Sequence, residues 1–405
     1  MIPWLAVIGI GEDGWDGLSG TARTLVVGAE LLVGGARHLA LIPGGPAERQ
    51  VWDSNFADGI AGILRRRGRP VAVLASGDPM CYGVGVTLSR HLARGEMVVL
   101  PQPGAFSLAA ARLGWPLADC TTLSVHGRSL EAVRLHLAPG ARLILLAADG
   151  TTPAHLAALL AGAGWGPSQI IVLEHLGGPR ERLIEGTAAG WCAARGADLN
   201  TIAVECRPGP GAAALSRAAG LPDDAFVHDG QLSKREIRAA ALAALAPLPG
   251  ERLWDVGAGC GSVAIEWLRL APRAAAVAVE RDRERCAIIA GNAAALGVPQ
   301  LEIVPGEAPA ALAGLPPPDA VFLGGGVAQP GLLDALWAAL PAAGRLVANA
   351  VTLAGEARLI AWQTQHGGEL TRLAISRAAP LGAHLGWRPL LPVTQLAAVK
   401  RAGGA

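Results

Sequence analysis

Leu253-Trp254-Asp255-Val256-Gly257-Ala258-Gly259-Cys260-Gly261-Ser262 runs from an apolar strand into a glycine-rich turn, and the apolar residues after it predict a helix from Val263 to Leu270. This strand–turn–helix is the layout of a nucleotide-binding unit, in which backbone N–H groups at a helix N-terminus face a ligand. Glycines permit the tight turn and let a ligand approach the backbone closely. The third glycine comes two residues after the second, so the spacing is Gly-x-Gly-x-Gly and not the Gly-x-Gly-x-x-Gly of dinucleotide sites. A smaller, zwitterionic ligand fits that turn better. Ala274 to Val279 reads as a second strand ending in Glu280, nineteen residues beyond Gly261, where an acid accepts hydrogen bonds from ribose hydroxyls. In a chain with 54 glycines the turn alone is weak, but turn, flanking elements and acid together point to S-adenosylmethionine.

A length of 405 residues holds two or three domains with substantial cores. The net charge of +1 provides no basic field, and lysine occurs only at Lys234 and Lys400, which speaks against a nucleic-acid partner. Six scattered cysteines form no C-x-x-C pair and no His–Cys cluster at metal-ligand spacing, so they read as reduced thiols of a cytoplasmic protein without a metal. The apolar N-terminus, Met1 to Gly9, lacks a basic leader and reads as a first strand. Every Ala-rich run is interrupted before reaching membrane-spanning length, so no membrane partner is expected.

Going back to the start, strand Trp4–Ile8 opens into Gly9-Ile10-Gly11-Glu12-Asp13-Gly14, and helical periodicity is predicted from Leu18 to Leu32. Strand Val71–Ala75 delivers Ser76-Gly77-Asp78-Pro79, a turn stiffened by its proline. After strand Met97–Leu100 and the Pro101-Gln102-Pro103-Gly104 turn, Ala105–Leu113 reads as a helix. Ser107 in its first turn can serve as a cap or as a ligand contact. Strands Thr121–Val125, Arg142–Leu146, Ile170–Leu173 and Leu199–Val204 complete the half, with helix Ala154–Leu160 among them. Alternating strands and helices make the class α/β.

The motifs Ile8-Gly9-Ile10-Gly11, Ala75-Ser76-Gly77-Asp78-Pro79, Gly104 to Gly114, His126-Gly127-Arg128 and Thr152-Pro153, in that order and spacing, resemble the tetrapyrrole methylase family, in its branch that methylates a precorrin at C5. The resemblance covers residues 1–206. It implies a two-lobed tetrapyrrole methylase fold with S-adenosylmethionine between the lobes, bound by Gly9, Gly11, Gly77, Asp78, Pro79 and Ser107.

Residues 207–225, a Pro/Gly/Ala mixture without periodicity, read as a linker. Beyond it, Ser233 and Glu236 have capping-box spacing at the start of an Ala/Leu helix. Seven strands are predicted over residues 226–405: Leu253–Val256, Ala274–Glu280, Leu301–Val304, Asp319–Leu323, Arg345–Ala350, Glu369–Ser376 and Gln395–Lys400. With their intervening helices they describe an open, Rossmann-like doubly wound sheet, whose ligand site lies at the strands' carboxyl ends. Gly230 to Arg238, Asp255 to Gly261, Gly306-Glu307-Ala308-Pro309 and Phe322 to Gly326 resemble the class I methyltransferases, narrowly the decarboxylating precorrin C15-methyltransferase family. That likeness implies Ser233 and Gly257, Ala258, Gly259, Cys260 and Gly261 around the methionine end, Glu280 on the ribose, and Glu307 and Ala308 at the adenine. Ser233, Glu280 and Glu307 stand where that family commonly carries Thr, Asp and Asp.

The two resemblances in one chain imply a bifunctional enzyme of cobalamin biosynthesis. It would methylate precorrin-6Y at C5 and C15 and decarboxylate the C12 acetate to give precorrin-8, as a homo-oligomer. A substrate with several carboxylates calls for arginine clamps. The candidates are Arg128, Arg235 and Arg238, each of which also reads as a solvated or helix-dipole charge. His228 and Asp229, just before the cofactor segment, are candidate proton donors for the decarboxylation. An RNA methyltransferase with an N-terminal recognition module would need a basic, aromatic-lined face, which four Phe, one Tyr and two lysines do not supply. A nicotinamide oxidoreductase is opposed by the glycine spacing. One domain serving only as a scaffold is a third alternative, which no motif excludes.

Overall fold

The computed structural model describes residues 3–52 and 56–401. Met1, Ile2 and the last four residues, counted in the predicted domain spans, lie outside the described residues. The chain divides into two units, one comprising Met1–Leu130 and Ala138–Ala213, the other Glu131–Leu137 and Ala214–Ala405.

The first unit is built on two five-stranded sheets. One contains β1 (Leu5–Ile10), β2 (Leu31–Gly34), β3 (Glu48–Val51), β4 (Val71–Ser76) and β5 (Met97–Leu100), in the order β3-β2-β4-β1-β5 and parallel throughout. β1 is buried along its whole length. An apolar run such as LAVIGI suits that position because a central parallel strand is covered on both faces. The other sheet contains β6 (Cys120–Ser124), β7 (Arg142–Leu146), β8 (Gln169–Glu174), β9 (Arg182–Thr187) and β10 (Asn200–Glu205), in the order β6-β7-β10-β8-β9. Only its β6–β7 pairing is parallel. Helix α1 (Ala105–Leu113) packs Phe106, Ala109 and Ala110 on Ile144, Ile171, Leu173 and Ala203 of this sheet.

The expected helix over Leu18–Leu32 is corrected. The helix covers Gly20–Val27, with the Ser19 hydroxyl accepting from the Ala22 N–H, and stops at Gly28. Leu31-Leu32-Val33 then enters the sheet as β2, fully buried, so its apolar residues answer to strand burial on two faces and not to helical spacing.

In the second unit, β11 (Arg252–Val256), β12 (Ala275–Glu280), β13 (Glu302–Pro305), β14 (Ala320–Leu323), β15 (Arg345–Ala350), β16 (Glu369–Leu373) and β19 (Val393–Val399) form a seven-stranded sheet ordered β13-β12-β11-β14-β15-β19-β16. The α/β class and the seven-stranded, Rossmann-like C-terminal sheet are as expected from the sequence. Helices α2 (Arg235–Leu245), α3 (Ser262–Leu270) and α4 (Arg283–Ala295) cover one face through Leu245, Trp267 and Ile289. Leu336, Leu359 and Trp362 cover the other. The expected strand Glu369–Ser376 is broken after Leu373. β17 (Ser376–Leu381) leaves the sheet and pairs with β18 (His384–Pro389) as a separate hairpin. Among the described residues no helix is long and apolar enough to cross a membrane.

Two buried groups hold α3, the helix that follows the glycine turn, in place. Asp255, at the end of β11, accepts from the Ala264 N–H through Oδ2 at 3.0 Å, satisfying a free donor in the first turn of α3. Arg238 is fully buried and donates from Nε to Glu266 Oε1 (2.5 Å), from Nη1 to the Ser233 carbonyl (2.6 Å) and from Nη2 to the Leu221 carbonyl. Glu266 in turn accepts from the Gly220 and Leu221 N–H groups. The expected Ser233–Glu236 capping box does not form. Lys234 is the cap residue of α2 and makes no side-chain cap bond, and Glu236 is taken by Arg377 at 2.6 Å.

Breaking a buried, hydrogen-bonded pair leaves an uncompensated charge. Glu266→Ala is therefore expected to cost about 3–5 kcal/mol of the second unit's stability. In urea titrations the Arg238→Met/Glu266→Ala double variant should lose less than the sum of the single variants. Burial, reinforced by the charge of Glu280, pushes the Asp255 carboxyl up to about 7, against the pull of the Ala264 N–H. Between the ordinary carboxylate range and that value the folded chain keeps a proton that the unfolded chain has released, so stability falls as pH rises through the window and levels off above it. Asp255→Asn should flatten this part of the profile, as read by urea unfolding at about pH 5 and about pH 8.

Candidate active sites

The second unit has a cavity of about 800 Å³ at the carboxyl ends of β11, β12, β14 and β15. That is the position an open α/β sheet offers a ligand. Gly257, Ala258 and Gly259 line it. Gly257 (φ +68°) lies so near the Phe322–Gly326 turn that a Cβ would come within 3.0 Å of the Gly325 nitrogen. Gly259 (φ +61°) would set a Cβ 3.1 Å from the Gln231 carbonyl oxygen. Both conformations suit glycine, and the backbone is left bare toward the cavity. Cys260 and Gly261 are not on the wall. The Cys260 side chain is in the core, where burial pushes its thiol up, and Gly261 faces Ile289 of α4.

Glu280 is buried at the cavity wall. Its Oε2 accepts from the Gly259 N–H at 2.8 Å and its Oε1 from the Asp282 N–H at 3.1 Å. Each oxygen keeps a lone pair for a further donor, so a hydroxyl-bearing ligand fits a carboxylate that is already oriented. Ser233, Glu307 and Ala308 also line the cavity. Cations that the sequence reading missed, Lys234, Arg281 and Arg285, stand there too. The two arginines could have been found by following the chain past Glu280.

Besides Cys260 and Gly261, four predicted residues lie off this wall. Arg238 is enclosed among Glu266, Ser233, Leu221 and the Phe226 ring, and Arg235 is exposed outside the cavity lining. His228 Nδ1 accepts from the Gly230 N–H and Asp229 Oδ1 from the Gln231 N–H, both at 3.0 Å, so both side chains close a turn. The Gln231 N–H, followed by Arg285 at 2.8 Å, holds the Asp229 carboxyl below its ordinary range. A carboxyl held ionised is a poor proton donor.

The first unit has its own cavity, also about 800 Å³, lined by residues from both of its sheets. Gly11, Gly77 and Asp78 line it, together with Gly104, Phe106 and Arg128. Gly9, Pro79 and Ser107 do not. Gly9 is glycine because a Cβ there would fall 1.8 Å from the Gly77 carbonyl oxygen. Pro79 is buried behind Gly83 and Gly85. Ser107 is exposed, and Gly104 rather than a hydroxyl residue caps α1.

At one wall Glu12 pairs with Arg37 and, at 3.2 Å, with His175 Nδ1. The Ser76 hydroxyl stands 3.1 Å from Arg37 Nη2 and 2.9 Å from His38 Nε2. Burial first, and the Arg37 charge second, lower His38 to about 4, so its imidazole is neutral near pH 7. Nothing in the residue pattern announces this cluster, whose members come from distant segments.

A family model described as Tetrapyrrole (Corrin/Porphyrin) Methylases matches residues 5–190, and one described as Precorrin methyltransferase domain matches residues 224–400. The Precorrin-6Y C(5,15)-methyltransferase (decarboxylating) of a Sinorhizobium species is 50% identical over 397 residues, which is 97% of this chain and 95% of that protein. Two shorter relatives come from Salmonella typhimurium. Its Cobalt-precorrin-7 C(5)-methyltransferase is 30% identical over 182 residues, 44% of this chain and 88% of the relative. Its Cobalt-precorrin-6B C(15)-methyltransferase (decarboxylating) is 32% identical over 173 residues, 42% of this chain and 89% of the relative. With one relative sharing half of its residues over nearly the full length of both, and with the two family models matched in succession, the chain belongs to the family of decarboxylating precorrin-6Y C(5,15)-methyltransferases.

Proposed function

We propose that this chain methylates precorrin-6Y at C5 and C15 and removes carbon dioxide from the C12 acetate, giving precorrin-8 in cobalamin biosynthesis, with S-adenosylmethionine as methyl donor. The observation that carries the reading is the presence of two separate cavities, each beside a glycine-rich turn at the ends of parallel strands. We assign C5 methylation to the first, within residues 1–206, and C15 methylation with decarboxylation to the second, within residues 226–405. The two shorter relatives, named for one activity each and each covering less than half of this chain, support that division.

The cofactor, when bound, supplies a methyl group on a sulfonium, which a nucleophilic ring carbon takes up directly. The protein's part is alignment and exclusion of water. In the second cavity the Gly257–Gly259 backbone and Ser233 would hold the methionine end, Glu280 the ribose, and Glu307 with Ala308 the adenine. Cys260 and Gly261 shape the turn from behind. In the first cavity Gly11, Gly77 and Asp78 would meet the cofactor, with Gly9 and Pro79 shaping their loops. Arg128 in the first cavity, and Lys234 and Arg281 in the second, would take the macrocycle's carboxylates. Loss of carbon dioxide sends the C–C electron pair into the conjugated ring system, and a proton is taken up at the former methylene carbon. Ile375, Leu390 and Val393 give that step an apolar wall. His228 and Asp229 take no part in the proton transfer, because their side chains are spent on a turn.

We infer a cytoplasmic homo-oligomer that works away from membranes. Its six unpaired cysteines suit a reducing compartment, and the β17–β18 hairpin exposes Leu381, Leu385 and Trp387, apolar area of the kind that subunits cover.

Mass spectrometry of precorrin-6Y incubated with the full chain and methyl-labelled cofactor should show two labelled methyls gained and one carbon dioxide lost. A Cβ at Gly77 would meet the Gly104 backbone at 2.7 Å, so Gly77→Val should cut C5 methylation ~100-fold or more and leave cofactor binding by the second unit intact. Gly259→Val should do the same to C15 methylation and decarboxylation. If each variant lost the other's reaction, the division of labour would be reversed.

A further inference from the structure

Tyr82 is the only tyrosine in the chain. It sits on the loop between β4 and the helix Val84–Ser89 with φ +56°, in the left-handed region that disfavours a bulky side chain. Burial does not offset that strain, because Tyr82 is 52% exposed. The loop behind it is firmly packed: the Asp78 carboxylate accepts from the Met80 N–H at 2.8 Å, and a Cβ on Gly83 or Gly85 would press within 2.8 Å of the Pro79 carbonyl oxygen. The surroundings therefore impose a strained backbone on an aromatic ring that is left half open to the first cavity. Strain of this kind persists where function uses it.

The ring's neighbours suggest the use. Phe106 meets it edge-on at 6.1 Å, and the Arg128 guanidinium stands 5.0 Å from its centroid. Among the described residues Arg128 makes no ion pair, whereas Arg37 across the same cavity is neutralised by Glu12. A guanidinium stacked on an aromatic ring keeps its planar fork of donors free for a carboxylate.

We propose that Tyr82 and Arg128 form the substrate-reading corner of the first cavity. The Tyr82 ring is the stacking face for one edge of the conjugated macrocycle, and Arg128, held by that ring, takes a side-chain carboxylate of the same edge. The proposal rests on the assignment of C5 methylation to the first unit.

Glycine suits φ +56°, so Tyr82→Gly should keep or raise the melting temperature while raising KM for the precorrin in C5 methylation about tenfold, with kcat little changed. Arg128→Ala should raise the same KM roughly 10- to 100-fold, and Arg128→Lys should restore only part of the loss. A lowered melting temperature with unchanged KM in Tyr82→Gly would mark the residue as structural and overturn the proposal. Incorporation of 3-fluorotyrosine places a single ¹⁹F resonance in the full-length chain, and saturating precorrin-6Y should shift it. If Gly77→Val abolishes C5 methylation but precorrin leaves the resonance unmoved, Tyr82 is not at the substrate and the proposal fails. If Gly77→Val leaves C5 methylation intact, it is the assignment of the first unit that fails.

Discussion

Backbone packed directly against backbone is the constraint on which both cavities depend. The Gly77 carbonyl occupies the space a side chain on Gly9 would need, and the Gly325 backbone crowds the same space at Gly257, 3.0 Å from where a Cβ would stand. Bonds from the Gly77 N–H to the Ile10 carbonyl and from the Gln102 N–H to the Gly77 carbonyl lock the first of these junctions. A methyl group at Gly9 would part loops that the sheet brings together. The strands supply rigid posts, and the turns between them have little but peptide groups to present to a ligand.

Much of this was legible because it depends on glycine spacing and on apolar runs of strand length. β1 and β4 are apolar runs buried on both faces, as a central parallel strand requires, and β11 is buried from Leu253 to Val256. β3 (Glu48-Arg49-Gln50-Val51) and β9 are edge strands of largely exposed residues, so burial imposes no pattern on them that could be read. The β17–β18 hairpin escaped notice for a related reason. Its exposed leucines and tryptophan look like continuation of a buried strand.

Side chains gathered from afar were not legible at all. Glu12 and His175 meet across 163 residues of sequence. Arg238 lies in a basic segment, Lys234 to Arg238, where a carboxylate-rich substrate makes an arginine look like a clamp. Only the fold reveals Glu266 beneath it, and a guanidinium that is fully buried among a carboxylate and two carbonyls is out of a substrate's reach. Lys234, four residues earlier, is the cation of that segment that reaches the cavity wall.

The scarcity of lysine gives that position a practical meaning. Of the two lysines, Lys400 is engaged with the carbonyls of Trp337, Ala338 and Leu340 at the end of the helix Leu332–Ala339. Lys234 is the lysine open to a cavity, so among lysine side chains an amine-directed reagent, an aldehyde followed by reduction or an active ester, would mark the second unit's cavity in preference to Lys400. A fluorophore or crosslinker could be seated beside the Gly257–Gly259 turn of the natural chain without introducing a single substitution.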